Sequence, residues 1–271
     1  MTIATTAGNL MIGLGLTILL GAAGLLGARV VAVRDARAAA AARAAATESV
    51  AGEMVLVESV APFYLDKTEV TVAAYRACVD GGACTPSAEG RHCNGASQGR
   101  DDHPINCVDH AQADAYCRWV GRRLPTAPEW AAAGCDGGGL VFDEPDTGSP
   151  AAPPEEPRGC YGRHARFDRY GRRVEREALG TCGVTEFPQT ATKTGLLGMA
   201  GNVSEWTSTE LTSGTNRFVD MGGNWNTHAS RARQQRDCRS TSSLARTYRD
   251  ESTGFRCART LPGSLWQEIM E

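Results

Sequence analysis

The residues whose types could do chemistry gather late in the chain, from Met221 to Cys238, reading Met-Gly-Gly-Asn-Trp-Asn-Thr-His-Ala-Ser-Arg-Ala-Arg-Gln-Gln-Arg-Asp-Cys. His228 beside Thr227, with Ser230 close by, offers a base and a hydroxyl. A serine nucleophile needs an oriented base and an oxyanion hole, and neither His110 nor any acid can be assigned to hold His228. A two-His-one-carboxylate iron site could be drawn from the five histidines only by arbitrary choice. Asn224, Asn226, His228, Ser230 and Arg231 therefore read as polar side chains lining a groove, suited to a peptide, glycan or protein ligand, while Trp225 reads as core.

Ten cysteines, all after residue 77, form the second chemical signature. Their even number suits five disulfides and an oxidising compartment. A structural zinc site shows short ligand spacings, but there is no CxxC pair, and His92 with Cys93 is the only adjacent Cys/His doublet. Cys160 and Cys182 bracket an irregular, arginine-rich excursion and are expected to staple it, restricting a long loop in the unfolded chain.

The elements that must position these residues fill a chain of 271 residues, 42% hydrophobic and 22% charged. That is enough for one large domain with an appendage. A net charge of −3 gives no general attraction to nucleic acid or to anionic membrane surfaces. Basic residues are nearly all arginine, Lys67 and Lys193 being the only lysines, which reflects genomic composition rather than a phosphate-binding design.

Residues 1–9 form a short tail. Leu10 to Ala28 is an uncharged run of 19 residues; at ~1.5 Å rise per residue, such a helix nearly spans a ~30 Å hydrocarbon core. A cleaved signal peptide is the alternative, but the run has no positive n-region and exceeds the usual ~7–15-residue apolar stretch, so a single-pass membrane anchor over residues 10–33 is expected. Arg29, Arg34, Arg37 and Arg43 favour a cytoplasmic C-terminal side; the cysteines favour the opposite, and the domain is assigned outside the cytoplasm. Residues 34–52 read as an alanine- and arginine-rich stalk.

Met54 to Val57 and Phe63 onward are β-prone. Thr71 is placed to cap a helix running through Val79 that ends at Gly81-Gly82. Asp109 with Gln112 forms a capping-box pattern, opening a helix that carries Ala115, Cys117 and Trp119 to Gly121. Thr126 with Glu129 repeats the pattern, with Pro128 confined to the first turn. Arg122 and Arg123 are expected to support the turn between these helices. Residues 136–181 form the insertion; its seven arginines from Arg158 to Arg176 are offset by acids and read as a solvated surface. The globular domain is placed at 53–262 and a C-terminal tail at 263–271.

Four ordered motifs, Gly121 to Trp130 (GRRLPTAPEW), Gly195 to Trp206 (GLLGMAGNVSEW), the Met221 to Cys238 segment and Gly254 to Arg259 (GFRCAR), resemble the formylglycine-generating enzyme, or sulfatase-modifying factor, family. The resemblance implies an α+β, C-type-lectin-like fold, irregular and disulfide-rich. It implies bridges Cys117–Cys257 and Cys135–Cys238, leaving Cys78, Cys84, Cys93 and Cys107 with three open pairings. It also implies a calcium site: Glu205 matches the acidic ligand and Gly201 and Val203 the carbonyl donors, while Gly198 replaces the first side-chain ligand.

In catalytic members of that family two cysteines hold copper(I), a soft ion that selects thiolates. The matching positions here read Thr227 and Ala232, and Asn224 replaces the serine before the tryptophan. A hydroxyl and a methyl group cannot replace thiolates, so copper is not expected and no catalytic residue is assigned. The expectation is a membrane-anchored binding or scaffold module displaying a polar groove. The alternative is a family enzyme: an oxidase that makes formylglycine on a sulfatase cysteine, or an oxidoreductase acting on a small metabolite without copper thiolates.

Overall fold

The structure is a computed structural model and describes residues 51–59, 61–134, 160, 166–167, 173–175, 180–226 and 241–261. All belong to the unit Val50–Glu271. The expected anchor, nearly all of the stalk, most of the insertion and the C-terminal tail lie outside the described residues. Among the described residues no helix is long and apolar enough to cross a membrane.

Each helix begins where the sequence supplies a cap. In α1 (Val72–Asp80) the Thr71 hydroxyl accepts from Ala74 N at 3.2 Å. In α2 (His110–Trp119) the capping box is complete: Asp109 Oδ1 accepts from Gln112 N, and Gln112 Oε1 accepts from Asp109 N. In α3 (Ala127–Gly134) Thr126 and Glu129 exchange the same pair of bonds. Satisfying the orphan N–H groups in this way is worth about 1 kcal/mol per cap. Gly82 and Gly121 follow α1 and α2 with φ of 72° each, a conformation that suits glycine after a helix end.

Two sheets hold the helices. Strand β1 (Met54–Val57) pairs antiparallel with β2 (Phe63–Asp66), and β2 with the late strand β9 (Ala258–Thr260). Inside the insertion, β3 (Arg166–Phe167) and β4 (Arg173–Glu175) form a small hairpin. The remaining sheet runs β7 (Thr241–Ala245), β6 (Arg217–Met221), β5 (Ser204–Glu210), β8 (Thr253–Gly254), with β5 and β8 parallel. The arrangement is mixed α+β.

The interior has two main apolar clusters. One joins α1 and α2 through residues spaced three and four apart, Val72, Tyr75 and Cys78 against Ala113, Tyr116 and Cys117, and adds Leu124, Trp206 and Phe255. Tyr75, Tyr116 and Phe255 pack with ring centroids 5.6–6.3 Å apart. The other joins β2, α3 and β6 through Phe63, Leu65, Trp130, Ala133, Leu196 and Met221. A third, small cluster sets Trp225 against Cys160 and Cys182.

Four disulfides are formed among the described residues: Cys78–Cys84, Cys93–Cys107, Cys117–Cys257 and Cys160–Cys182. The last two match expectation, and the first two resolve the open set of four cysteines. Cys117–Cys257 closes 140 residues of sequence, and its effect on the unfolded chain's entropy is about 5 kcal/mol in the loop-closure model. Cys135 and Cys238 lie outside the described residues. Arg122 and Arg123 support the turn as expected: Arg122 pairs with Asp66 and donates to Gly52 O, and Arg123 forks onto Glu129 at 2.6 and 2.7 Å.

Candidate functional site

The turn after β6 carries the first of the groove residues. Gly222 adopts φ 81°, and a Cβ there would meet the Trp130 ring at 3.1 Å and Met199 O at 3.3 Å. Both shape and conformation therefore require glycine at this position. The turn delivers Trp225 into the interior, 2% exposed. Its backbone N donates to Asn202 O at 2.9 Å, and its indole N–H donates to Glu251 O at 2.8 Å. Asn226 emerges exposed beyond it, with its N–H bonded to Asn224 Oδ1 at 3.1 Å. Thr227, His228, Ser230, Arg231 and Ala232 lie outside the described residues.

Asn202 links this turn to the stapled excursion. It sits in left-handed conformation, φ 56°, donates its N–H to Cys160 O, and accepts from Cys182 N with its side chain. Asn202 is only 5% exposed, so the Asn202-Val-Ser sequon serves the loop rather than a glycan.

Beneath the turn lies a buried charged cluster. Glu205, fully buried, accepts from Arg256 Nε and Trp130 Nε1 through Oε2, each at 2.7 Å, and from Arg256 Nη2 through Oε1 at 2.8 Å. Arg256, also 0% exposed, donates further from Nη1 to the carbonyls of Asp66 and Lys67 and from Nη2 to that of Leu197. Every one of the guanidinium's five N–H groups is thereby engaged. Burial works against its charge, but the adjacent Glu205 outweighs that and holds Arg256 strongly protonated.

Asp66 stands at the edge of the cluster, paired with Arg122 and accepting from Cys257 N at 2.8 Å. Burial pushes its carboxyl up to about 7 against the pull of Arg122. Glu69, fully buried, is pushed up to about 8 by burial, which Arg256 opposes and Glu205 reinforces. Neither Glu69 oxygen has a hydrogen-bond partner among the described residues. The Asn202 side chain lies near enough to favour its charged form without reaching hydrogen-bond geometry, and Arg256 Nη2 stands 4.0 Å away.

The structure thus links Asn202, which lies between Gly201 and Val203, and Glu205 to the base of the Gly222 turn, through Asn202 O and Trp130. Reading the sequence alone missed Asp66, Glu69 and Arg256 as members of this cluster. Asp66 and Glu69 lie three residues apart in the string Asp66-Lys-Thr-Glu-Val-Thr71, and Arg256 lies in the Gly-Phe-Arg-Cys motif, which carried the family likeness without a chemical role. Among the described residues no group of three or more His, Cys, Asp or Glu side chains is arranged to hold a metal.

Two metals can be tested against these donors. Copper(I) needs thiolates, and every cysteine among the described residues is closed in a disulfide, so none of those eight is a thiolate donor for it. Calcium needs hard oxygen donors; Glu69, buried with both oxygens unpartnered, fits that requirement.

The sulfatase-modifying factor enzyme 1-like domain model matches residues 37–261. The formylglycine-generating enzyme of Mycobacterium tuberculosis is 37% identical over 132 residues, 48% of this chain and 40% of that protein. The mouse inactive C-alpha-formylglycine-generating enzyme 2 is 33% identical over 159 residues, 57% of this chain and 48% of that protein. The chain thus spans under half the length of these curated relatives. A crystal structure of CarF superposes with a TM-score of 0.52 at 18% identity, covering 79% of this chain and all of that one, a likeness of fold.

Proposed function

The chain belongs to the sulfatase-modifying factor enzyme 1-like family, and from that premise we propose that it is a membrane-anchored binding or scaffold module that has kept the family's framework without its oxidase. The observation that carries this reading is the accounting of cysteines. Eight of ten are closed in disulfides, and the resemblance pairs the other two, Cys135 with Cys238. Thr227 and Ala232 stand where the resemblance puts copper ligands. The residues assigned to the groove, Asn224, Asn226, His228, Ser230 and Arg231, are polar, a composition suited to a peptide, glycan or protein ligand.

The chain's own residues do three things in this scheme. The Cys160–Cys182 bridge and Asn202 hold Trp225 in the interior, so that the turn presents Asn226 to solvent. Gly222 lets the backbone lie directly on Trp130. Glu205 and Arg256 fix Trp130 from below. Calcium is the metal that suits the oxygen donors of Gly201, Val203 and Glu205; bound, it would fix the loop electrostatically rather than take part in redox chemistry. Four disulfides support a domain outside the cytoplasm, and the apolar run from Leu10 supports the anchor.

The enzymatic alternative is favoured by the likeness to a formylglycine-generating enzyme. The full-length chain incubated with copper(I), oxygen, reductant and a Cys-x-Pro-x-Arg peptide decides between them. Unchanged peptide mass is expected; loss of the thiol to an aldehyde overturns the binding-module reading.

A further inference from the structure

The family's calcium pattern places a side-chain ligand at position 198, and this chain has Gly198 there, with φ 69°. A Cβ added at Gly198 would stand 2.3–2.4 Å from Oε2, Cδ and Oε1 of Glu69. The carboxylate of Glu69 therefore occupies the space that a side chain at 198 would take. It arrives from the segment after β2, on the far side of the cluster in sequence.

The surroundings only loosely neutralise that carboxylate. Both oxygens are buried and make no hydrogen bond among the described residues. The nearest cation, Arg256, is 4.0 Å away and has spent all five N–H groups on Glu205 and three backbone carbonyls. The cluster holds three acids, Asp66, Glu69 and Glu205, against two bases, Arg122 and Arg256. An ionised carboxylate left alone in an interior is costly, and a bound cation is one way in which such a buried polar group is satisfied.

We propose that Glu69 supplies the side-chain oxygen that Gly198 lacks, completing with Glu205 and the Gly201 and Val203 carbonyls a hard-oxygen site for a divalent cation of calcium type. The inference rests on the calcium reading of Gly201, Val203 and Glu205 and adds its missing ligand. Calcium is selected by the donor chemistry, since it takes ~6–8 oxygen ligands from carboxylates, carbonyls and water in flexible geometry. The exchange of ligands between positions 198 and 69 explains how glycine at 198 is tolerated.

The test measures thermal unfolding of the chelator-stripped, full-length chain with and without calcium, and terbium luminescence excited through tryptophan, for which Trp130 is bonded to Glu205. Wild type is expected to gain melting temperature with calcium and to sensitise terbium, calcium displacing the signal. Glu69→Gln, which preserves shape, is expected to lose both responses or to weaken apparent affinity by at least about tenfold. The double variant Glu69→Ala with Gly198→Asn frees the space, uses a residue that tolerates left-handed backbone, and is expected to restore the response. Absence of any calcium or terbium response in wild type overturns the calcium reading altogether. A full response in Glu69→Gln overturns the role of Glu69 while leaving the site's other donors standing.

Discussion

The interior around α1 and α2 and the interior beneath the Gly222 turn are equally buried, yet they are held by opposite means. The first is apolar: Tyr75, Tyr116, Leu124, Trp206 and Phe255 pack around the Cys117–Cys257 bridge, and its stabilisation scales with area removed from water. The second is built from Asp66, Glu69, Glu205, Arg122 and Arg256 with Trp130 across them. There the Coulomb attraction chiefly offsets desolvation. The difference teaches which region sets stability and which sets shape. The apolar region tolerates volume-conserving exchange. The charged region tolerates none of its partners being removed singly, and it lies directly under the turn that presents the groove.

Breaking the charged region should therefore cost most. Arg256→Met strands Glu205 and removes the cation that stands 4.0 Å from Glu69, and a loss of about 3–5 kcal/mol is expected, read as a shift in the denaturation midpoint. A loss under about 1 kcal/mol would place this interior on the same footing as the apolar one. Trp130→Phe keeps the ring but leaves Glu205 one donor short, at a cost of about 1–3 kcal/mol. Its effect should also reach the groove, seen as changed amide exchange at Gly222 and Asn226. Ile105→Val, 1% exposed in the apolar region, should cost about 1 kcal/mol and leave exchange at the turn unchanged. If Ile105→Val disturbs the turn as much as Trp130→Phe does, the division between the regions fails.

The smallest effect sharpens the comparison through pH. His110 stacks on Phe218 with centroids 3.7 Å apart, donates from Nε2 to Thr207 O, and is held below its ordinary value by burial. The folded state thus favours the neutral ring, whereas the unfolded chain takes up a proton as pH falls through about 6.5. Stability from this group is present above that pH and lost below it. Wild type minus His110→Gln stability should shrink between pH ~7.5 and ~5. A difference that stays constant or grows across that range contradicts the assignment.

Legibility of the sequence followed the same division. Caps at Thr71, Asp109 and Thr126 were readable because they depend on side chains a few residues from the backbone they serve. The Cys117–Cys257 bridge followed from the family likeness, and Cys160–Cys182 from its position about the insertion. Cys78, Cys84, Cys93 and Cys107 admitted three pairings until the fold placed α1 beside its following loop and Cys107 beside Cys93. The charged interior stayed hidden because Arg256 lies 190 residues after Asp66, and a charged residue is by default a surface residue. Glu205 was singled out as a metal ligand; its bidentate partner Arg256, 51 residues later, carried no local mark.

The central claim is that disulfides, and not copper, use this chain's cysteines. It is tested most directly by alkylating the denatured, unreduced, full-length chain and counting labelled thiols by intact mass and peptide mapping, before and after a copper(I) chelator. No label on Cys78, Cys84, Cys93, Cys107, Cys117, Cys160, Cys182 or Cys257 is expected, and no thiol is released by the chelator. Two thiols that become reactive only when copper is stripped away would contradict the account.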